Sequence, residues 1–369
     1  MFSHLSHFCF PCFPRFRFSH HRLPVQIVWV LAVCQALVSC STHVTDVRAK
    51  VGVFEHGINA VKTPWSSQPF DNHPDKFTFA LFSDLTGGER PHIFSTAVAQ
   101  LALLRPELIV NVGDLTEGGT LDKVIINTQW QSFHRRADKA STRIFYTGGN
   151  HDLANLTQRQ VWQAEHGPRY YHFIYKNVLF LVLDTEDHPA QTLAQIRGMH
   201  TEAMALVAKQ GWGVLGETAY AQLPSTQTGE IGADQARYVT RVIADNPSVR
   251  WTFVLMHKPI WNREGENNFT AIETALASRP YTVFHGHNHF YKHTERLGRD
   301  YIQLGTTGGV QFADKNLSVD HVSLVTVDGD GIDIANIKLS GIFDKTGRVP
   351  HEGAAIDQML APLPQGRGQ

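Results

Sequence analysis

The chain has 369 residues, 42% hydrophobic and 18% charged, with 33 Lys and Arg against 34 Asp and Glu and a formal net charge of −1. That balance is the composition of a soluble globular protein, and no basic patch or acidic run stands out to recruit nucleic acid. Length alone leaves open one large domain or two ordinary ones.

All four cysteines, Cys9, Cys12, Cys34 and Cys40, fall in the first forty residues, which also carry Arg15, Arg17 and Arg22 but no Asp, Glu or Lys. Val25 to Val38 is an apolar run, shorter than the about 20 residues a membrane-spanning helix needs. A basic flank, a short apolar stretch and a small-residue junction predict a secretory signal peptide over 1–39. The junction Leu37-Val38-Ser39-Cys40 resembles a bacterial lipoprotein cleavage box. That resemblance implies acylation of Cys40 as the first mature residue, a membrane anchor, and a domain facing the periplasm or cell exterior. An ordinary signal peptide or a short uncleaved anchor is the alternative. A mature chain without further cysteine suits an oxidising compartment.

Residues 40–75 are polar, carry Pro64, Pro69 and Pro74, and read as the lipidated N-terminus and tether of a domain over 76–348. In chain order the pattern predicts a strand at Phe77–Phe82, a helix at Ile93–Leu104, a strand at Leu108–Val112, a helix at Gln129–Lys139 and a strand at Arg143–Tyr146. This rhythm argues for βαβ units feeding a mostly parallel sheet. Tyr170–Tyr175 and Asn177–Asp184 read as a hairpin pair. Residues 185–232 break the rhythm as an insertion, with a helix at Thr192–Lys209 and Gly-rich coil after it; insertions of this size often shape a pocket rim. Asp234–Asp245 reads as an amphipathic helix with an Asp cap. Strands follow at Trp251–Met256, Thr282–Phe284 and Asp300–Leu304, and His321–Leu339 reads as a hairpin interrupted by Asp328-Gly329-Asp330-Gly331. The Pro/Gly/Gln-rich stretch 349–369 reads as a loose tail, and one domain fits better than two.

Five motifs end in side chains that bind metals: Ser83-Asp84-Leu85-Thr86, Gly113-Asp114-Leu115-Thr116-Glu117, Gly149-Asn150-His151-Asp152, His257-Lys258-Pro259 and Gly286-His287-Asn288-His289. Each follows an apolar run, hence sits on a loop at a strand end, where α/β folds collect their chemistry. Singly, most have an ordinary reading as a cap or turn residue. In extended backbone His287 and His289, two apart, face the same side. Two carboxylates, an amide and three imidazoles in this order suggest a site for two divalent ions, with mixed N/O ligands that suit Mn, Fe or Zn and do not choose among them.

Order and chemistry together resemble the calcineurin-like metallophosphoesterases, over roughly Phe77 to Gly309. The resemblance implies a four-layer αββα sandwich, two mixed sheets flanked by helices, that hydrolyses phosphate esters. It implies Asp84, Asp114 and His289 on one metal, with Asp114 bridging to a second held by Asn150, His257 and His287. A hydroxide between the ions would attack phosphorus, His151 would stabilise the leaving group, and Asp152 would orient His151. The family's first motif is usually Asp-x-His, and here Thr86 stands in place of the His. Purple acid phosphatases, a branch towards which Gly286 to Tyr291 and Gly305 to Gly309 lean, also lack that His and use a Tyr three residues after the bridging Asp. Here that position is Glu117, the candidate to complete the first metal site, so the iron–phenolate colour of that branch is not expected.

The expected substrate is a small phosphorylated molecule, mono- or diester, with no nucleic-acid partner. Thr86 favours an alternative: a degenerate envelope lipoprotein that binds metal or phosphate without turnover. The cations Arg90, Lys258 and Arg263 are candidates for gripping phosphate, though ordinary loop positions suit them better.

Overall fold

The computed structural model describes residues 64–66, 68 and 70–341, so the signal 1–39, Cys40, the tether up to residue 63 and the 349–369 tail lie outside the described residues. From His73 onward the elements run β1 (Phe77–Phe82), α1 (Ile93–Leu104), β2 (Leu108–Asn111), α2 (Lys123–Ala137), β3 (Ile144–Phe145), α3 (Asn150–Leu153), α4 (Leu156–Glu165), β4 (Tyr171–Tyr175) and β5 (Val178–Val182). Then come α5 (Ala190–Gln210), α6 (Ala219–Gln222), α7 (Pro224–Thr228), α8 (Ala233–Asp245), β6 (Trp251–Leu255), α9 (Asn268–Leu276), β7 (Tyr281–His285), β8 (Lys292–Arg296), β9 (Arg299–Gln303), β10 (His321–Asp328) and β11 (Gly331–Lys338).

Two sheets form, in the orders β11-β10-β1-β2-β3 and β4-β5-β6-β7-β9-β8. Both are mixed: β1, β2 and β3 are parallel with β10 antiparallel to β1, and β5, β6, β7 and β9 are parallel between antiparallel edges β4 and β8. These are the two mixed sheets that the family resemblance implies, with the βαβ rhythm accounting for the parallel strands at the centre of each. Successive strand side chains point to opposite faces, and β1 shows the result. Phe77, Phe79 and Leu81 enter a core between the sheets with Phe180, Phe253 and Phe284. Ala80 and Phe82 enter an outer core with Phe94 of α1, Phe133 of α2 and Trp162 of α4. On the other side Leu179, Leu181 and Val254 meet Val239 of α8 and Ile272 of α9. The sandwich is thus αββα.

Several boundaries differ from expectation for local reasons. Helix α2 starts at Lys123, not Gln129, because the Asp122 side chain accepts from Val124 N at 2.8 Å. Helix α8 is preceded by Gly232, and Asp234 lies inside its first turn, where a carboxylate complements the helix dipole. The stretch after α5 is not coil: a 3-10 turn at Trp212–Glu217 leads into α6, capped by Thr218, and α7, opened by Pro224. Among the described residues no helix is long and apolar enough to cross a membrane.

Candidate metal centre

The C-terminal ends of β1, β2, β3, β6 and β7 open into the loops that carry Asp84, Asp114, Asn150, His257 and His287. The first two loops continue the strand pairing, with Asp84 N donating to Gly113 O and Leu85 N to Asp114 O, each at 3.1 Å. Asn111, a polar residue that ends the apolar β2, accepts from Gly113 N at 3.2 Å and Thr147 N at 3.1 Å through its Oδ1. It fixes two site loops at once. Its signal in the sequence is an amide closing a run of buried aliphatics.

Asp84 and Asp114 adopt left-handed backbone, with φ of 49° and 58°. That turn swings each carboxylate back over the strand end. Glycines make room for them: a Cβ at Gly149 would collide with Asp114 Oδ1, and one at Gly286 with Asp84 Oδ2. The carboxylates are then held by backbone donors, Asp114 Oδ1 by His151 N at 2.9 Å and Asp84 Oδ1 by His287 N at 3.0 Å, while Ser83 Oγ donates to Asp84 Oδ2.

Two clusters of donors result. Asp114, His257 and His287 place ligand atoms within 4.8 Å of one another, and so do Asp84, Asp114 and His289. Asp114 belongs to both. His257 gives its Nδ1–H to Val112 O at 2.8 Å, so Nε2 faces Asp114 Oδ2 and Asn150 Oδ1, each at 3.1 Å. His289 likewise gives Nδ1–H to Val310 O at 2.7 Å and turns Nε2 to Asp84 Oδ1 at 3.4 Å. A carbonyl on one ring nitrogen and oxygens on the other is the arrangement that presents a histidine lone pair to a cation. His287 and His289 both reach the centre, but not by strand alternation. Both are left-handed, with φ of 77° and 58°, and they enter different clusters.

Burial pushes the Asp114 carboxylate up, yet the His257 and His151 charges and hydrogen bonds outweigh it and hold it well below the usual carboxylate range. Burial works against a charged His257, but Asp114 raises it to about 9. Burial, Lys258 and His257 keep His287 well below an ordinary imidazole.

His151 and Asp152 take roles other than the expected pairing. The His151 ring is oriented by the Glu117 carbonyl, 2.9 Å from Nδ1. The Asp152 carboxylate instead accepts from Leu115 N, Thr116 N, Thr116 Oγ1 and Gly149 N at 2.9 to 3.2 Å, which braces the Asp114 loop against α3. Burial and the neighbouring Asp114 charge push Asp152 up to about 7. One oxygen of Glu117 is bonded to the neighbouring loop: Oε1 accepts from Gly88 N at 3.0 Å and Glu89 N at 2.8 Å, and Glu117 stands in neither donor cluster. Thr86 accepts from Gly87 N at 2.6 Å.

The three loop cations are occupied. Arg90 clasps Asp320, Thr306 and the Gly309 carbonyl. Arg263 holds Gly229 O and Glu230. Lys258, 2% exposed, pairs with Glu186 at 2.7 Å. The chemistry of the donor set, carboxylates and imidazole nitrogens with an amide oxygen, fits divalent ions of the Mn, Fe or Zn type.

The sequence matches the calcineurin-like phosphoesterase family over residues 77–291. No curated protein matches it. Among solved structures it is similar to a dimetal phosphatase from Danio rerio, at 15% identity and TM-score 0.47, covering 71% of this chain and 99% of that one. It is similar to a purple acid phosphatase from yellow lupin seeds at 14% identity and TM-score 0.49, covering 76% of this chain and 54% of that one. A third similar structure is a putative 5'-nucleotidase from Staphylococcus aureus, at 13% identity and TM-score 0.45, covering 77% of this chain and 58% of that one. The chain thus spans little more than half of the last two, and the family rests on the sequence match alone.

Proposed function

This chain belongs to the calcineurin-like phosphoesterase family and is a phosphoric ester hydrolase, and from that premise we propose that it cleaves a small phosphate ester with two divalent ions held at the sheet ends. Asp84, Asp114 and His289 would hold one ion, and Asp114, Asn150, His257 and His287 the other. The observation that carries this reading is the sharing of Asp114: one buried carboxylate serves two donor clusters, each with a histidine anchored to a backbone carbonyl. When bound, such ions supply Lewis acidity towards phosphoryl oxygens and make water acidic enough to furnish a nucleophile near neutral pH.

The chain's own groups do the rest. Glu117 O takes the Nδ1–H of His151, so Nε2 is the nitrogen left to carry a transferable proton. Water oxygen would join phosphorus and give up a proton to solvent, the ester P–O bond would break with its electron pair on the alcohol oxygen, and His151 would pass a proton to that oxygen and regain one from solvent. Asp152 keeps Asp114 and the His151 helix in register through its bonds to Leu115, Thr116 and Gly149.

A binder with one filled site is the reading that Thr86 favours, since its hydroxyl and one oxygen of the Glu117 carboxylate accept from backbone N–H groups. The test is to load the purified protein with Mn²⁺, count bound metal, and compare a chromogenic phosphomonoester with its bis-ester, using Asp114→Asn as the blank. Turnover in the parent alone supports the hydrolase. One ion per chain without turnover under Mn²⁺, Zn²⁺ or Fe²⁺ supports the binder.

The leader and the Leu37–Cys40 junction support export and a lipid on Cys40, which would place this chemistry outside the cytoplasm. Palmitate labelling that persists in Cys40→Ser would remove that part of the proposal.

A further inference from the structure

Beside the metal centre lies a cavity of about 120 Å³, bounded on one side by Asn150 and His151 and on the other by α5 and α7 of the 185–232 insertion. We propose that this cavity is the leaving-group subsite and that it takes a small, neutral, hydroxylated alcohol, so that the substrate is the phosphomonoester of a polyol. This rests on the phosphoesterase reading above.

Position makes it a leaving-group site: His151, the residue that protonates the departing oxygen, forms part of its wall. Size favours a small group. A cavity of about 150 Å³ accommodates benzene, so this one, at about 120 Å³, seats about half a dozen heavy atoms against its walls.

Polarity selects the class. His188 is 3% exposed and lines the cavity. Its Nδ1 meets the Glu230 carboxylate at 3.1 Å; a carboxylate only accepts, so Nδ1 carries the proton and Nε2 is a bare acceptor. That Nε2 is buried with no hydrogen-bond partner, its approach to Glu186 being 3.9 Å. A buried acceptor left dry is destabilising, and a hydroxyl donor satisfies it. Glu186 and Lys258, 5% and 2% exposed, also line the cavity, and their ion pair cancels their charge. Glu117 and Arg197 line it as well, one acid and one base, so the lining offers acceptors and donors without net formal charge. Leu193 and Ile196 supply an apolar wall for the carbon skeleton.

The test compares three esters on the metal-loaded full chain: glycerol 1-phosphate, n-propyl phosphate, which lacks the two hydroxyls, and 3-phosphoglycerate, which has a carboxylate in place of the terminal hydroxymethyl group. A subsite built around hydroxyls predicts a kcat/KM at least about tenfold higher for glycerol 1-phosphate than for n-propyl phosphate. His188→Leu is expected to bring that ratio close to one. Saturation-transfer NMR without metal is expected to show glycerol contact in the parent and not in His188→Leu. Thr201→Phe, which obstructs the cavity from α5, is the second variant if His188→Leu does not fold. Equal kcat/KM for the propyl and glycerol esters overturns this inference while leaving the hydrolase intact. A preference for 3-phosphoglycerate overturns it too, and assigns recognition to Arg197, the cation that lines the cavity from α5. Failure of all three esters, with failure of the chromogenic ester, overturns the hydrolase reading instead.

Discussion

His257 holds Asp114 with one ring nitrogen and the end of β2 with the other: Nε2 lies 3.1 Å from Asp114 Oδ2, and Nδ1 lies 2.8 Å from the Val112 carbonyl. The ligand is thereby fixed by the scaffold before any ion arrives. Asp114→Asn, isosteric but a weaker ligand, is expected to lower phosphoester turnover by about a thousandfold. Ligand-linked stabilisation reaches about 2.7 kcal/mol at a hundredfold excess over Kd. Calorimetry should therefore show a Mn²⁺-dependent rise in Tm in the parent and little or none in the variant.

Gly149→Ala places a methyl group on the Asp114 carboxylate and its own backbone N–H. Overpacking of this kind costs about 1 to 3 kcal/mol, and here it also displaces the shared ligand. Urea unfolding should show the stability loss, and a metal titration should show affinity falling at least tenfold. Parent-like metal affinity would mean that Asp114 is not the shared ligand.

Asp152→Asn separates two roles. If Asp152 oriented His151, the variant would shift the limb of the pH–rate profile that reports His151. The structure instead ties Asp152 to Leu115, Thr116 and Gly149. The amide is expected to lower stability by about 1 to 3 kcal/mol and weaken metal binding, with that limb unmoved.

His166 gives the fold an acid limit away from the metals. Its ring lies 4.6 Å from Trp130, 4.6 Å from Tyr146 and 4.8 Å from Trp162, and 5.3 Å from His134. Burial, with His134 nearby, pushes it down to about 3. The unfolded chain then binds a proton near pH 6.5 that the folded chain refuses until about 3. Stability is fully present above 6.5 and declines as pH falls towards 3, at up to about 1.4 kcal/mol per pH unit. His166→Phe should flatten that slope in denaturant melts at pH 4 to 7.

The strands at the sheet centres were legible because they are apolar runs ending in turn residues. Strand Phe77–Phe82 matches to the residue, and so does helix Ile93–Leu104 with its long apolar face. Strand β8 was not, because Lys292-His293-Thr294-Glu295-Arg296 carries no apolar alternation; as an edge strand paired only with β9 it needs none. Helix α9 was missed although Phe269, Ile272 and Leu276 mark a helical stripe in its sequence. In the metal centre, residue types and order were readable, but direction was not. Counting three from Asp114 reaches Glu117 and says nothing of the turn that sends its carboxylate to Gly88 and Glu89. The His188 acceptor was invisible for the same reason, since only folding brings the insertion beside His151.

Asp84, Asp114, His287 and His289 all sit at positive φ, between 49° and 77°. Such backbone costs an L-residue about 1 to 2 kcal/mol and is easiest for glycine and asparagine. In a descendant lineage released from the need for ions, replacing any of these four by glycine or asparagine would relieve strain at once. Decay should therefore begin there, ahead of the sandwich core, and genomes of such descendants would carry a recognisable order of loss.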